Sequence, residues 1–316
     1  MKTLNVITMA CALLLPPALA APAEPGGKST APGMAKQMTF DTPRKAADAL
    51  IAAAAEYDLP ALKAILGPAS VDLVETEDPV QDRAAGAAFA ALARQRSEIA
   101  LDPKNQNRAI LVIGDEDWPS PIPIVRKDGR WSFDTNAGRK EILNRRIGRN
   151  ELDAIEICRA FVDAQREYAF RKRSGYDVNQ YAQRIVSSPG KQDGLAWRNP
   201  DGTWGGPLGE GIANVIAEGY SDRAQPYHGY FFKVLKGQGP AAPLGQMDFV
   251  VNGVMIGGFA LVAAPADYRV TGVKTFLVSH DGVVYEQDLG PKTLERFQAM
   301  ERFNPDKGWT PVVDPD

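Results

Sequence analysis

Cysteine and histidine are scarce: the 316-residue chain holds two of each. Two histidines, His228 and His280, exclude a metal site built from three. Of the cysteines, Cys11 lies in an apolar N-terminal run expected to be removed, which leaves Cys158 alone. No intramolecular disulfide can then form even in an oxidising compartment, so stability must come from the core. Cys158 sits among Ile155, Ile157 and Phe161 in a predicted helix, surroundings that suit a buried, inert thiol better than a nucleophile. An excess of one charge is missing too. Against 36 Lys and Arg stand 39 Asp and Glu, a formal net charge of -3 without acidic or basic blocks, so the chain carries no electrostatic footprint for nucleic acid. After the N-terminal run no apolar stretch reaches spanning length; the longest, about 253–264, is broken by glycines and reads as strands. No cofactor or metal signature is found, and none is expected.

The N-terminus reads as an export signal. Lys2 gives a positive start, Leu4 through Leu15 an apolar run, and Ala18-Leu19-Ala20 the small-x-small pattern cut by signal peptidase, with Pro16-Pro17 just before it. Cleavage after Ala20 predicts a periplasmic or secreted protein with no membrane span. Cys11 lacks the leucine expected three residues earlier for a lipoprotein. Residues 21–38, rich in Ala, Pro, Gly and Ser, read as a disordered leader.

With 44% hydrophobic residues, the remainder can bury a sizeable core, and its length favours two α+β domains, 39–147 and 148–316. In the first, Asp41 or Thr42 can cap a helix from Pro43 to about Glu56. A second helix runs 59–66 and stops at Gly67-Pro68, and a third spans about 80–97. Short apolar runs at 109–113 and 122–125 and the alternating 130–133, with Asp128-Gly129 as a hairpin turn, make a small antiparallel sheet. This order fits a cystatin-like or nuclear-transport-factor-like fold. The second domain opens on a long helix, 137–172, with a possible break at Gly148; Leu152, Ile155 and Val162 share an apolar face. A low-periodicity stretch, 174–225, follows. Strands are then predicted at 230–235, 247–251, 254–263, 273–279 and 283–287, with Asp281-Gly282 as a two-residue turn, giving a four- or five-stranded antiparallel sheet under the long helix. A last helix covers 291–302.

Several segments resemble the exported bacterial domain-of-unknown-function family 2950. They are Gly114-Asp115-Glu116-Asp117-Trp118-Pro119, Arg145-Arg146-Ile147-Gly148-Arg149-Asn150-Glu151, Asp163-Ala164-Gln165-Arg166-Glu167-Tyr168, Ser188-Pro189-Gly190-Lys191-Gln192-Asp193-Gly194, Tyr227-His228-Gly229-Tyr230 and Gly258-Phe259-Ala260-Leu261-Val262. The resemblance, from about Phe40 to Trp309, implies export and a two-part architecture; the family has no established activity, so it supplies no catalytic residue. The second half alone, with Gly229-Tyr230-Phe231-Phe232 and a strand leading to Ala264-Pro265, is similar to the globular part of type IV pilins and pseudopilins, which implies at most a pilin-like fold without assembly.

His228, flanked by Tyr227 and Gly229 at a strand start, can be presented to a cleft by its turn or can serve as a structural hydrogen-bonding group. Ser188, Lys191 and Asp193 would supply hydroxyl, ammonium and carboxylate for acyl transfer if their loop folded back on His228. No G-x-S-x-G elbow is present, and a plain turn accounts for the same residues. His280 reads as an exposed turn residue. Asp115, Glu116 and Asp117, with Asp128 and Asp134, could gather oxygen ligands for calcium, although EF-hand spacing is absent and a solvated turn suffices. Arg145, Arg146 and Arg149 form a basic cluster able to fork onto a carboxylate or phosphate, or to pair with Glu141 and Asp153. Trp197 and Trp204 could line a groove or pin a loop. The leading expectation is a non-enzymatic binding or envelope accessory module, with an unknown envelope protein or small ligand as partner. The alternative is a periplasmic hydrolase using His228 with a residue of the 187–194 loop.

Overall fold

A computed structural model describes residues 36–75, 79–171, 178–211 and 226–313. The expected signal peptide and nearly all of the expected leader lie outside the described residues. The chain divides into two compact units, one ending at Leu143 and one beginning at Asn144.

In the first unit, helix α1 (Pro43–Glu56) starts where Thr42 accepts a hydrogen bond from Lys45 N–H and Pro43 fills the first turn. Such a cap satisfies one of the donors a helix start leaves unpaired. Asp58 does the same for α2 (Leu59–Leu66), which ends at Gly67 with φ +85°. After the single turn α3 (Val71–Val74) comes α4 (Pro79–Gln95). The antiparallel sheet runs in the order β1-β2-β4-β5, formed by β1 (Ser97–Asp102), β2 (Asn105–Ile113), β4 (Ile124–Lys127) and β5 (Arg130–Phe133), with the two-residue β3 (Trp118–Pro119) paired to β2. Strand β1 was hidden from the sequence because its residues alternate without strong apolar character, mostly half-exposed or exposed. The core joins Ala46, Ala47 and Leu50 of α1 and Leu62 and Ile65 of α2 to Leu111, Ile113, Ile124, Trp131 and Phe133 of the sheet.

Helix α5 (Thr135–Ala169) opens in the first unit, capped by Asp134, and continues in the second. It does not break at Gly148. One glycine inside a helix costs about 1 kcal/mol relative to alanine, less than the burial of a single large apolar side chain. The face α5 buries in the second unit is Ala154, Ile155, Cys158, Phe161, Val162 and Tyr168. Leu152, expected on that face, is 62% exposed, so the stripe is narrower than its apolar spacing suggested.

The partner of that face is a five-stranded antiparallel sheet in the order β17-β16-β15-β14-β9. Its strands are β9 (Tyr230–Leu235), β14 (Ala260–Pro265), β15 (Lys274–Ser279), β16 (Val284–Asp288) and β17 (Thr310–Pro311). Interior strand β14, between β15 and β9, is buried at every position. Of the strands expected at 247–251 and 254–263, the first is split into β11 (Met247–Asp248), paired with β10 (Gly237–Gln238), and β12 (Val250–Val251), paired with β13 (Val254–Met255), while the second holds only from Ala260, as β14. Glycines 253, 257 and 258 break the run, two of them at positive φ. The turn at 281–282 is wider than expected, since pairing ends at Val278 with Val284. Asp281 fills it by accepting from the Ser279 hydroxyl and Val283 N–H. The last helix, α6 (Thr293–Ala299), is shorter than its apolar spacing implied.

Within the low-periodicity stretch, β6 (Arg184–Val186) runs parallel to β7 (Gly194–Arg198), which pairs antiparallel with β8 (Trp204–Gly205). Its attachment to α5 is polar: the buried Gln165 side chain both donates to and accepts from the Ala182 backbone at 2.8 Å, and Tyr168 hydroxyl donates to Gln192 O. No helix among the described residues is long and apolar enough to cross a membrane.

Gly86 of α4 marks where α1 and α4 approach closely, because a Cβ there would stand 2.9 Å from Ala54 O. Gly86→Ala should therefore lower stability by about 1–3 kcal/mol despite alanine's better helix propensity, read as a fall in the urea midpoint at unchanged slope.

Candidate functional site

One turn of α5 in the second unit carries Asn150, Glu151 and Asp153, and each side chain reaches a different partner. Asn150 Nδ2 donates to Thr271 O at 2.8 Å. Glu151 Oε1 accepts from Val273 N–H at 2.8 Å and Lys274 N–H at 3.0 Å. Asp153 Oδ2 lies 2.6 Å from His228 Nδ1. The helix turn thereby ties down residues 271–274, which lead into β15, and the turn at 227–230, which leads into β9. Tyr230 locks the starts of these two strands together, its hydroxyl donating to Lys274 O at 2.8 Å. Burial pushes that phenol's pKa upward, and the nearby Glu151 carboxylate adds to the shift.

Tyr227 to Tyr230 form a two-residue hairpin turn. Their backbones exchange two hydrogen bonds of 2.9 Å, and His228 and Gly229 both have positive φ, +46° and +75°. This is type I′ geometry, which favours Asn or Asp followed by Gly. The same chain uses that chemistry at two other two-residue hairpin turns among the described residues, Asp128-Gly129 between β4 and β5 and Asn252-Gly253 between β12 and β13. Histidine in the first position is therefore not what the turn requires. Glycine in the second is, because a Cβ on Gly229 would stand 2.7 Å from Asn150 Nδ2 and 2.8 Å from Thr271 Cβ. The His228 side chain is 35% exposed, and the Tyr227 ring lies beside it with centroids 4.2 Å apart. A carboxylate on one ring nitrogen fixes the tautomer and orientation of an imidazole.

The loop residues expected near His228 bond elsewhere. Ser188 hydroxyl and N–H donate to the two oxygens of Asp193 at 2.9 and 2.7 Å, and Gly194 N–H donates to Ser187 Oγ, so the loop closes on itself. Burial would raise the Asp193 carboxyl, but the bonds from Ser188 outweigh it and hold the group below its usual range. Lys191 is exposed on this loop. Trp197 lies against Gly205 and Gly206, where Cβ atoms would come within 2.8 Å of its ring, and joins the core. It pins the loop.

Other expectations need correction. His280 is not an exposed turn residue: its ring meets Phe249 and Phe259 edge-on, and its Nδ1 is buried without a hydrogen-bond partner. Asp153 pairs with His228 rather than with the arginines. Asp117 pairs with Arg96, Asp134 caps α5, and Asp128 occupies its turn; no group of three or more His, Cys, Asp or Glu that could hold a metal ion is found among the described residues. Cys158 is fully buried, and burial pushes its thiol up to about 12. The roles of Asn150 and Gln165 were missed. Asn150 bonds to Thr271, 121 residues on, and Gln165 to Ala182, 17 residues on; the periodicity of the helix carries no trace of either contact.

A family model described as protein of unknown function (DUF2950) matches residues 37–312. No curated protein and no solved structure matches the chain.

His228→Asn should leave stability within about 1 kcal/mol of the parent, because asparagine suits the left-handed turn position and a part-exposed pair contributes little; chemical denaturation of the two proteins checks it. Cys158 should resist alkylation by iodoacetamide at pH 8 in the folded protein and react only when denaturant unfolds it.

Proposed function

Because the chain belongs to the DUF2950 family, whose description assigns no activity, its own residues must carry the reading, and we propose an exported accessory module that works by binding. One observation carries the proposal. The hydroxyl of Ser188 and carboxylate of Asp193 are consumed in closing their own loop, while Asp153 holds His228, with the Tyr227 ring beside it, on a rigid turn. Such a group is pre-organised for recognition, since orienting it costs no further entropy when a ligand arrives. Export is supported by Lys2, the apolar run from Leu4 to Leu15, and Ala18-Leu19-Ala20. A second reading, a periplasmic hydrolase, is favoured by the His228–Asp153 pair itself, because a carboxylate-oriented imidazole is how a general base is held in acyl transfer.

Expression of the full chain in a bacterium, followed by fractionation and intact mass, should give a periplasmic or secreted species that begins at Ala21; a full-length cytoplasmic protein would overturn export. The purified mature protein should neither label with a fluorophosphonate nor turn over peptides, esters or glycans. Turnover that His228→Ala abolishes would replace the binding reading with the hydrolase.

A further inference from the structure

We infer that the face of α5 carrying Arg146 and Arg149, next to the Asp153–His228 pair, is a binding site for an oxyanion, a carboxylate or phosphate group. The inference rests on the binding reading above and supplies its ligand class. Positions 146, 149 and 153 recur three and four apart, so they lie along one face of the helix, with Arg149 one turn, about 6 Å, from Asp153. At that spacing Asp153 would be the natural partner of Arg149. Its carboxylate is instead bonded to His228, 2.6 Å away. Glu151, the other acid on this turn, has its carboxylate on the backbone N–H groups of Val273 and Lys274. Both acids within local reach are thus committed to holding the fold. Among the described residues, neither Arg146 nor Arg149 makes an ion pair or a side-chain hydrogen bond.

Both arginines are half-buried, and Arg146 Nε is fully buried with no hydrogen-bond partner. A guanidinium partly removed from water without a counter-charge is unfavourable, and an unsatisfied buried donor is rare enough to call for a missing partner. A ligand oxyanion provides both the charge and the acceptor. The planar fork of a guanidinium matches two oxygens of a carboxylate or phosphate, and two arginines along one helix face can share a single such group. By contrast, the exposed arginines Arg44, Arg130 and Arg166 each have an aspartate partner.

The test titrates the mature full chain with inorganic phosphate or with succinate, sodium chloride holding ionic strength constant. Melting temperature and the NMR signals of the arginine Nε–H groups are followed. A saturable rise in melting temperature, with shifts at Arg146 and Arg149, is expected. A stronger response to phosphate assigns a phosphate-bearing ligand, and a stronger response to succinate assigns a carboxylate. R146Q and R149Q should each weaken binding by about tenfold or more, the loss of one charge-assisted contact. R149K, which keeps the charge but not the fork, should fall between parent and R149Q, and R166Q should bind as the parent does. No saturable response to either anion, or a response that both glutamine variants retain in full, overturns the inference. Because the readout is binding and not turnover, that failure removes the ligand class alone, whereas turnover by the mature protein would remove the binding reading itself.

Discussion

The second unit depends on polar side chains that project from one long helix with a narrow apolar face. Helix α5 buries Ala154, Ile155, Cys158, Phe161 and Val162 against the sheet, and that burial supplies most of the stabilisation, about 1.5–3 kcal/mol for each large side chain. Apolar contact is not directional. What aligns the loops is the set of hydrogen bonds from Asn150, Glu151 and Asp153 near one end of this stretch and from Gln165 and Tyr168 near the other. Each ends on a backbone group or ring tens of residues away in sequence, except for Gln165 and Tyr168, which reach the nearer segment of β6 and β7. The Gln165 pair with the Ala182 backbone is buried, and leaving a buried partner unsatisfied costs more than the bond contributes when made; the part-buried contacts act through their direction, and together they set which loop geometry is compatible with the packed core.

That constraint explains why a strained residue can be kept at 228. A side chain with φ +46° is uncommon outside Gly, Asn and Asp, although histidine is among the residues enriched there. The chain meets the same requirement with less strain at Asp128-Gly129 and Asn252-Gly253. Strain of this kind persists where the surroundings over-determine it, and it concentrates at functional positions. Here the surroundings are Gly229, wedged between Asn150 and Thr271, and the Asp153 carboxylate on the ring. The imidazole is the one feature of the turn that its backbone geometry does not explain.

How much was legible in the sequence follows from the range of each interaction. Helices α1 and α2 and strands β5 and β9 could be placed closely because their signals are local: Thr42 and Asp58 as caps, Pro43 in a first turn, Asp128-Gly129 as a hairpin turn. The α+β class followed from the order of those elements. Strand β1 was not legible because its burial is partial, and β6, β7 and β8 were not because they are only three, five and two residues long and open on a parallel pair. At the site, His228 and Tyr227 stood out by composition, and Arg146 by its cluster. The partner of His228 did not. Asp153 lies 75 residues away, and on sequence spacing alone it belonged with the arginines four and seven positions before it on the same helix.

That reassignment of one carboxylate has consequences for charge. With Asp153 turned to His228 and Glu151 turned to the backbone of 273–274, the helix face keeps the positive charge of Arg146 and Arg149 while its negative charge is absorbed by an imidazole and by N–H dipoles. The same bonds that orient the loops therefore leave the two guanidinium groups without partners among the described residues. A stable fold could remove this cost by substituting an uncharged residue at either position, at no loss to the loop contacts just described. Keeping both arginines is consistent with a face shaped by what it meets in solution rather than by the packing beneath it.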